Sequence, residues 1–161
     1  MKLYVPEIGD HLQLTADWTF TLYNEYRNTS MWELYDCENH PAVVQQTARQ
    51  NKLRDELNSL ESKMYPGNRY WHSSTHTIDP VDLQRRSELY DSIREMHTVE
   101  VTIPVGSVLS IDRIFIRKGI SDYSSLTFFL KSHPDKTFKK KPRFWTKLLD
   151  CNKIEFVQHN S

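Results

Sequence analysis

The period of the hydrophobic pattern changes twice along this chain, and that change limits the folds open to it. Near the N-terminus, and again after Thr98, apolar residues alternate with polar ones, as they do in half-buried strands. Between about residues 42 and 96 the apolar residues recur every three or four positions, which is the period of an amphipathic helix. The pattern therefore predicts strands, then helices, then strands again along the chain.

The N-terminal strands are predicted over residues 10–15 and 17–27, with Leu12 and Leu14 on one face of the first. A short further strand is predicted over 31–35, between two stretches typical of loops. Two helices are then predicted, over about 42–64 and 80–96, and the second opens with an aspartate and a proline that suit a helix start. Joined by one loop, the helices should pack antiparallel as a hairpin.

The strands that follow predict a small barrel. A phase slip at Arg113 indicates a bulge or strong bend, and two hairpins, one short turn near 149–152 and a last strand over 153–157 come after it. This order is found in Src-homology-3-like barrels, an architecture that serves many functions. The predicted fold is α+β: a discontinuous Src-homology-3-like small β-barrel (about 1–36 and 98–157) with an inserted antiparallel helical hairpin (about 42–97), in a single domain.

Composition predicts a cytoplasmic protein. No stretch approaches the ~20 apolar residues that a membrane span needs. Cys37 and Cys151 are too few for a disulfide scaffold, and the opening MKLYVPEIGDHLQL breaks into charge and proline before a signal-peptide core can form. We expect both thiols to be reduced.

The zero net charge conceals a division along the chain. Residues up to Asp112 include 10 basic and 17 acidic side chains, a net of −7, whereas the rest include 11 basic and 4 acidic, a net of +7. Such a division can steer an oppositely charged partner, or it can pair the basic face of one copy with the acidic face of another. A homo-oligomer is therefore one of the open possibilities.

The strongest candidate for a binding site is the segment 131–147. Its cations are Lys131, Lys136, Lys139, Lys140, Lys141, Arg143 and Lys147, and Phe138, Phe144 and Trp145 are interleaved with them. Lysines bind phosphates and aromatic rings stack on bases, so this composition is typical of a nucleic-acid loop. In the alternative interpretation the aromatic residues belong to the core and an edge strand, and the lysines form a solvated loop. Arg113, Arg117 and Lys118 precede this segment and would extend the patch.

Other features carry weaker hypotheses. Tyr70 and Trp71 fall in the predicted loop between the helices, where exposed aromatic residues could anchor a partner. Cys37-x-x-His40 and His72-x-x-x-His76 have residue types that suit zinc, but the predicted helix between them spans ~30 Å, so we expect no metal or other cofactor. The common catalytic motifs are missing, and pairs such as Glu25 with Arg27 are expected to be solvated, which predicts a protein that is not an enzyme.

Four short stretches of the C-terminal third stand out together, namely IPVG at 103–106, DRIFIRKG at 112–119, SSLTF at 124–128 and FWTKL at 144–148. The segment that contains them, Ile103 to Phe156, resembles uncharacterised short proteins of tailed bacteriophages. The resemblance carries no functional residues with it. It implies a protein made inside an infected bacterium, where small inhibitors and host-takeover factors are common.

The sequence leaves three functions open. The leading hypothesis is a non-catalytic binding protein that engages a host protein or nucleoprotein complex through its helical arm and its basic barrel face. The second is direct binding of nucleic acid by residues 131–147. The third is a nucleotide-binding sponge that uses Arg113, Arg117 and Arg143.

Overall fold

The computed structural model describes residues 5–67, 77–117, 119 and 124–159. Its strands and helices are β1 (His11–Leu14), β2 (Trp18–Tyr23), α1 (Thr29–Leu34), α2 (Pro41–Met64), α3 (Pro80–Ile93), β3 (Thr98–Ile103), β4 (Val108–Phe115), β5 (Ser125–Ser132), β6 (Arg143–Lys147), α4 (Leu148–Cys151) and β7 (Phe156–Gln158). The chain divides into two compact units, which we name the sheet unit (Met1–His40 with Thr98–Ser161) and the helical unit (Pro41–His97).

The sheet unit contains two antiparallel sheets. Five strands pair in the order β6-β5-β4-β1-β7, and β2 pairs with β3 in a separate two-stranded ribbon. Each strand of the ribbon points its apolar side chains to one face, since Trp18 lies opposite Ile103 and Phe20 lies opposite Val101. That alternation is what the sequence pattern predicts.

Four aromatic side chains form the centre of the sheet unit. Trp18 and Phe20 come from the ribbon, Phe128 and Phe144 come from β5 and β6, and all four are almost completely buried. The ring centroids of Trp18 and Phe20 are 4.4 Å apart, and those of Phe20 and Phe144 are 5.3 Å apart. The apolar face of the ribbon therefore packs against the five-stranded sheet, and the burial of these large rings stabilises the unit.

The closed barrel that the sequence predicts is not found among the described strands. The five-stranded sheet stays open between β6 and β7, and the ribbon pairs with neither edge. Backbone groups of the ribbon strand β2 that do not pair with β3 bond to side chains instead. Asp150 accepts from the backbone N–H of Thr21 at 3.1 Å, and the Thr146 hydroxyl donates to the Thr21 carbonyl at 3.4 Å. Since the ribbon already covers the apolar face of the sheet, closure is not needed to bury it. The α+β class is as predicted.

Local assignments agree in part with the sequence pattern. The bulge predicted near Arg113 is confirmed, because the register of β4 against β5 shifts between Ile111 and Arg113. The strand predicted over 31–35 is wrong, since α1 occupies this stretch and buries Met31 and Trp32. An alternation of five residues is too short to distinguish a strand from one helical face. The turn predicted near 149–152 is the short helix α4.

The helical unit is the predicted hairpin. Its two helices are antiparallel, because Lys63 near the end of α2 pairs with Asp82 near the start of α3 at 2.8 Å. As expected, the Asp79 side chain caps α3 by accepting from the backbone N–H of Val81 at 2.9 Å. None of the described helices is long and apolar enough to cross a membrane.

Candidate functional site

The predicted basic segment divides between the core and the surface along β6. Phe144 and Thr146 point into the core and are fully buried, whereas Arg143, Trp145 and Lys147 lie on the opposite, half-exposed face. We use the name basic face for the cations on this outer side of the β5–β6 hairpin and in the last part of its connecting loop, residues 139–141. The basic face comprises Lys131, Lys139, Lys140, Lys141, Arg143 and Lys147.

Arg143 is held by a carboxylate that a bulge directs toward it. Its Nε and one terminal nitrogen both donate to Oδ2 of Asp112, at 2.8 and 2.7 Å. Ile111 and Arg113 pair with successive residues of β5, so Asp112 is the extra residue of the bulge in β4. A bulge redirects its side chain, which explains how β4 reaches β6 across β5. The charge of Arg143 is therefore largely compensated within the protein, while the Arg113 side chain is 75% exposed.

Trp145 is surrounded by polar and aromatic groups of the sheet unit. Its ring stacks on Tyr23 with centroids 5.1 Å apart, and the guanidinium of Arg27 lies 5.3 Å from its centroid. Its indole N–H donates to Glu25 at 2.6 Å, and Glu25 also pairs with Arg27 at 2.9 Å. Lys147 lies over the Tyr23 ring at 5.3 Å. Of the rings that the sequence offered for base stacking, Trp145 is thus engaged inside the protein and Phe144 is buried, while Phe138 is half-buried.

The outer edge of β6 is covered by a buried side chain. Asn28 accepts from the backbone N–H of Trp145 at 2.8 Å and donates to the Tyr23 carbonyl at 3.0 Å. Its position at the end of a short 3₁₀ turn, Tyr26–Asn28, places it beside the strand. Both ends of the amide are satisfied, so the position of β6, and of the basic face on it, is fixed.

Lys136 lies over a different aromatic ring. Its ammonium is 4.9 Å from the centroid of Tyr35, whose hydroxyl donates to the Thr102 carbonyl at 2.9 Å. His133 joins this group, with Nδ1 accepting from the backbone N–H of Asp135 at 3.0 Å and Nε2 3.1 Å from the Tyr35 oxygen. Because Nδ1 accepts, Nε2 carries the proton. Burial lowers the pKa of His133 and raises the pKa of Tyr35 to about 12, so both side chains are neutral at physiological pH.

The lysines at the end of the hairpin lack the kind of carboxylate partner that Asp112 provides for Arg143. No described carboxylate forms an ion pair with Lys131, Lys139, Lys140 or Lys141. The last three are exposed, and Lys131 is half-buried. An external anion can reach these four, and also Lys147 over the Tyr23 ring, without displacing a carboxylate of the described residues.

The remaining candidates give no second site. Lys118, Tyr70 and Trp71 lie outside the described residues, as do His72 and His76. Arg117 is exposed, beyond the end of β4. Burial raises the pKa of the Cys37 thiol to about 11, so it stays protonated at neutral pH, and no three potential ligands cluster in the part of the chain that the structure describes.

The charge division along the sequence does not follow the division into units. The sheet unit contains 13 basic and 13 acidic residues, and the helical unit contains eight of each. The acidic N-terminal segment and the basic C-terminal segment therefore belong to the same unit. Several of the acids are paired locally, as Glu25, Asp112 and Asp150 are. The local excess of charge is at the end of the β5–β6 hairpin.

Sequence reasoning missed the residues that hold the basic face in place. Asp112 had a signal, since the phase slip next to it predicts a bulge, but Tyr23, Arg27 and Asn28 are brought to β6 only by tertiary packing.

No family model, no curated protein and no solved structure matches this chain.

Proposed function

We propose that this chain is a non-catalytic binding protein that docks its basic face onto an acidic surface of a protein partner. The observation that carries the proposal is the contrast within segment 131–147: none of its lysines forms an ion pair with a described carboxylate, while Phe144 and Trp145 are used internally. Exposed charges without fixed partners favour fast, electrostatically steered association.

This contrast favours a protein over a nucleic acid. Proteins that bind single strands present free aromatic rings to successive bases. Here Phe144 is fully buried and Trp145 packs against Tyr23 and Arg27. A nucleotide-binding sponge is favoured less, because Arg143 already binds Asp112 through two nitrogens.

The biological setting of the proposal comes from the resemblance of the C-terminal third to short phage proteins. We place the chain among phage-encoded inhibitors and host-takeover factors, acting in the host cytoplasm on a host protein or a nucleoprotein complex. In the same proposal Tyr70 and Trp71, which lie between α2 and α3 in the sequence, supply a second contact.

The finer fold assignment is part of the proposal as well. The order β7-β1-β4-β5-β6, with the short helix α4 preceding β7, supports a Src-homology-3-like unit interrupted after its first strand. In this interpretation the ribbon and the helical unit are one long insertion between β1 and β4.

A capture experiment with matched charge variants tests the function. The chain is immobilised and exposed to host lysate with and without nuclease, and captured proteins are identified. A triple variant, Lys139→Gln, Lys140→Gln and Lys141→Gln, is compared with a control of equal charge change on α2, Arg49→Gln, Lys52→Gln and Arg54→Gln.

We expect one defined protein to be captured whether or not nuclease is present. Its association rate should fall in the lysine variant, with little change in dissociation, and should be unchanged in the control. Capture that disappears with nuclease would favour the nucleic-acid alternative, and equal losses in both triple variants would contradict docking by the basic face.

A further inference from the structure

Two lysines face each other across the end of the β5–β6 hairpin. Phe129 pairs with Arg143, and the backbone N–H of Leu130 donates to the Pro142 carbonyl at 2.8 Å. One further step along this antiparallel ladder places Lys131 opposite Lys141. Side chains at directly opposite positions are neighbours, and like charges there are destabilising.

A second bulge places Lys131 in this position. Leu109 pairs with Leu130 while Val108 pairs with Ser132, so Lys131 is the extra residue in β5. Burial and, secondarily, the nearby charge of Lys141 lower the pKa of the Lys131 ammonium. The fold therefore places two lysine side chains at opposite positions of the ladder, where their like charges repel.

The surroundings of the pair are suited to an external anion. Phe129 and Arg143 lie next along the same face, Phe129 half-buried and Arg143 already bound to Asp112. None of the described carboxylates pairs with Lys131 or Lys141. An oxyanion between the two ammonium groups would accept from both and replace repulsion by attraction.

We infer that Lys131 and Lys141 form a binding site for a phosphate monoester. A tetrahedral dianion offers an oxygen to each ammonium and matches their combined charge. The inference rests on the proposed function, because it names the chemistry that one part of the basic face recognises. A phosphorylated side chain of a protein partner and a nucleotide share this chemistry.

The test uses inorganic phosphate as the probe on the full chain. The pKa of Lys131 is followed by ¹³Cε NMR in phosphate and in chloride at equal ionic strength, and phosphate affinity is measured for Lys131→Gln, Lys141→Gln and the exposed control Lys52→Gln. We expect phosphate to raise the pKa of Lys131. Each site variant should bind phosphate about tenfold more weakly, since hydrogen bonds to charged groups contribute this much.

The control should keep its affinity to within about twofold, because distant exposed charges contribute little. The variant Lys131→Arg keeps the positive charge. It should therefore retain phosphate binding if removal of that charge is what weakens binding in Lys131→Gln. Equal effects of phosphate and chloride, or an equal loss in Lys52→Gln, would show diffuse ionic attraction and overturn the site.

Two further ligands distinguish the sources of the phosphate. Stronger binding of a phosphoserine peptide than of AMP would assign the site to a modified protein, and the reverse order would assign it to a nucleotide. Partner capture that persists without any phosphate response at Lys131 would overturn the site alone. Lysine-dependent phosphate binding without a captured protein would overturn the proposed function alone.

Discussion

The sheet unit and the helical unit are stabilised by different interactions. The sheet unit centres on Trp18, Phe20, Phe128 and Phe144, none of them more than 1% exposed. The hairpin buries few large side chains, Leu57 and Leu89 among them, and its helices are joined along their length by ion pairs at the surface.

From this difference we expect the sheet unit to be the more stable of the two and the helical unit the less stable. Burial of apolar area contributes far more free energy than exposed ion pairs do. Ion pairs also weaken in salt, whereas burial does not. We therefore expect the sheet unit to lose most from core truncation, and the helical unit to be the more sensitive to pH and ionic strength.

The largest expected effect is that of Phe144→Ala. Phe144 is fully buried against Phe20 and Phe128, so truncation leaves a cavity and should lower the free energy of unfolding by about 3–5 kcal/mol. Leu89 in the helical unit is also almost completely buried, but Leu89→Ala removes fewer buried atoms and should cost about 2 kcal/mol. Urea unfolding followed by near- and far-ultraviolet circular dichroism measures both, and a larger loss for Leu89→Ala would refute the comparison.

The next effect is that of Glu61→Gln in the helical unit. Glu61 accepts from Arg86 at 2.8 Å and from the Tyr90 hydroxyl at 2.9 Å, so the variant should lose about 1 kcal/mol of stability, reduced by partial exposure. The exposed Glu95→Gln is the control and should change little. If 1 M sodium chloride leaves the difference between the two variants unchanged, the contact is not ionic.

The same contact predicts a pH dependence. Hydrogen bonding by Arg86, then by Tyr90, lowers the pKa of Glu61 from 4.5. Its stabilising contribution is therefore complete above pH 4.5 and is lost as pH falls through the lower pKa of the folded state. As the pH is lowered below 4.5, the melting temperature should fall less steeply in Glu61→Gln than in the unmodified chain.

A smaller effect is expected at His133 in the sheet unit. Burial lowers its pKa from 6.5, so the folded state favours the neutral ring, and stability is lost as pH falls from 6.5 through the folded pKa. Tyr35, Asp135 and Lys136 are the titratable groups around it. His133→Gln should flatten the melting profile as the pH falls below 6.5. An unchanged profile would show that another group titrates there.

The smallest effect is that of the triple lysine variant on stability. Replacing Lys139, Lys140 and Lys141 with Gln removes three exposed charges and no buried atom, so the free energy of unfolding should move by less than about 0.5 kcal/mol. Thermal melting measures it, and a large loss would mean that the loop is part of the structural core.

Much of the fold could be predicted from the sequence because its elements are encoded locally. The period of the apolar residues gave the helical hairpin and the buried faces of β2 and β3, and the phase slip at Arg113 gave the bulge. Barrel closure could not be predicted, since it depends on whether β2 pairs with the sheet or covers it. The helix at Thr29–Leu34 depends on the tertiary burial of Met31 and Trp32.

The candidate site was predictable in its charges and not in its aromatic residues. A run of lysines is visible in any sequence, and exposure follows from charge. Whether Trp145 is free to stack depends on Tyr23 and Arg27, more than 100 residues earlier in the chain. The pairing of Lys131 with Lys141 follows from the register of β5 against β6, which no local pattern determines.

The two edges of the five-stranded sheet also bear on how concentrated this protein can become. An open edge is a template for another strand, and long open edges lead to aggregation. Here the β6 edge donates its Trp145 N–H to Asn28, and the β7 edge is only three residues long. Among the described strands, neither edge of this sheet offers a long row of free backbone groups, so we expect little edge-to-edge pairing between copies at high protein concentration.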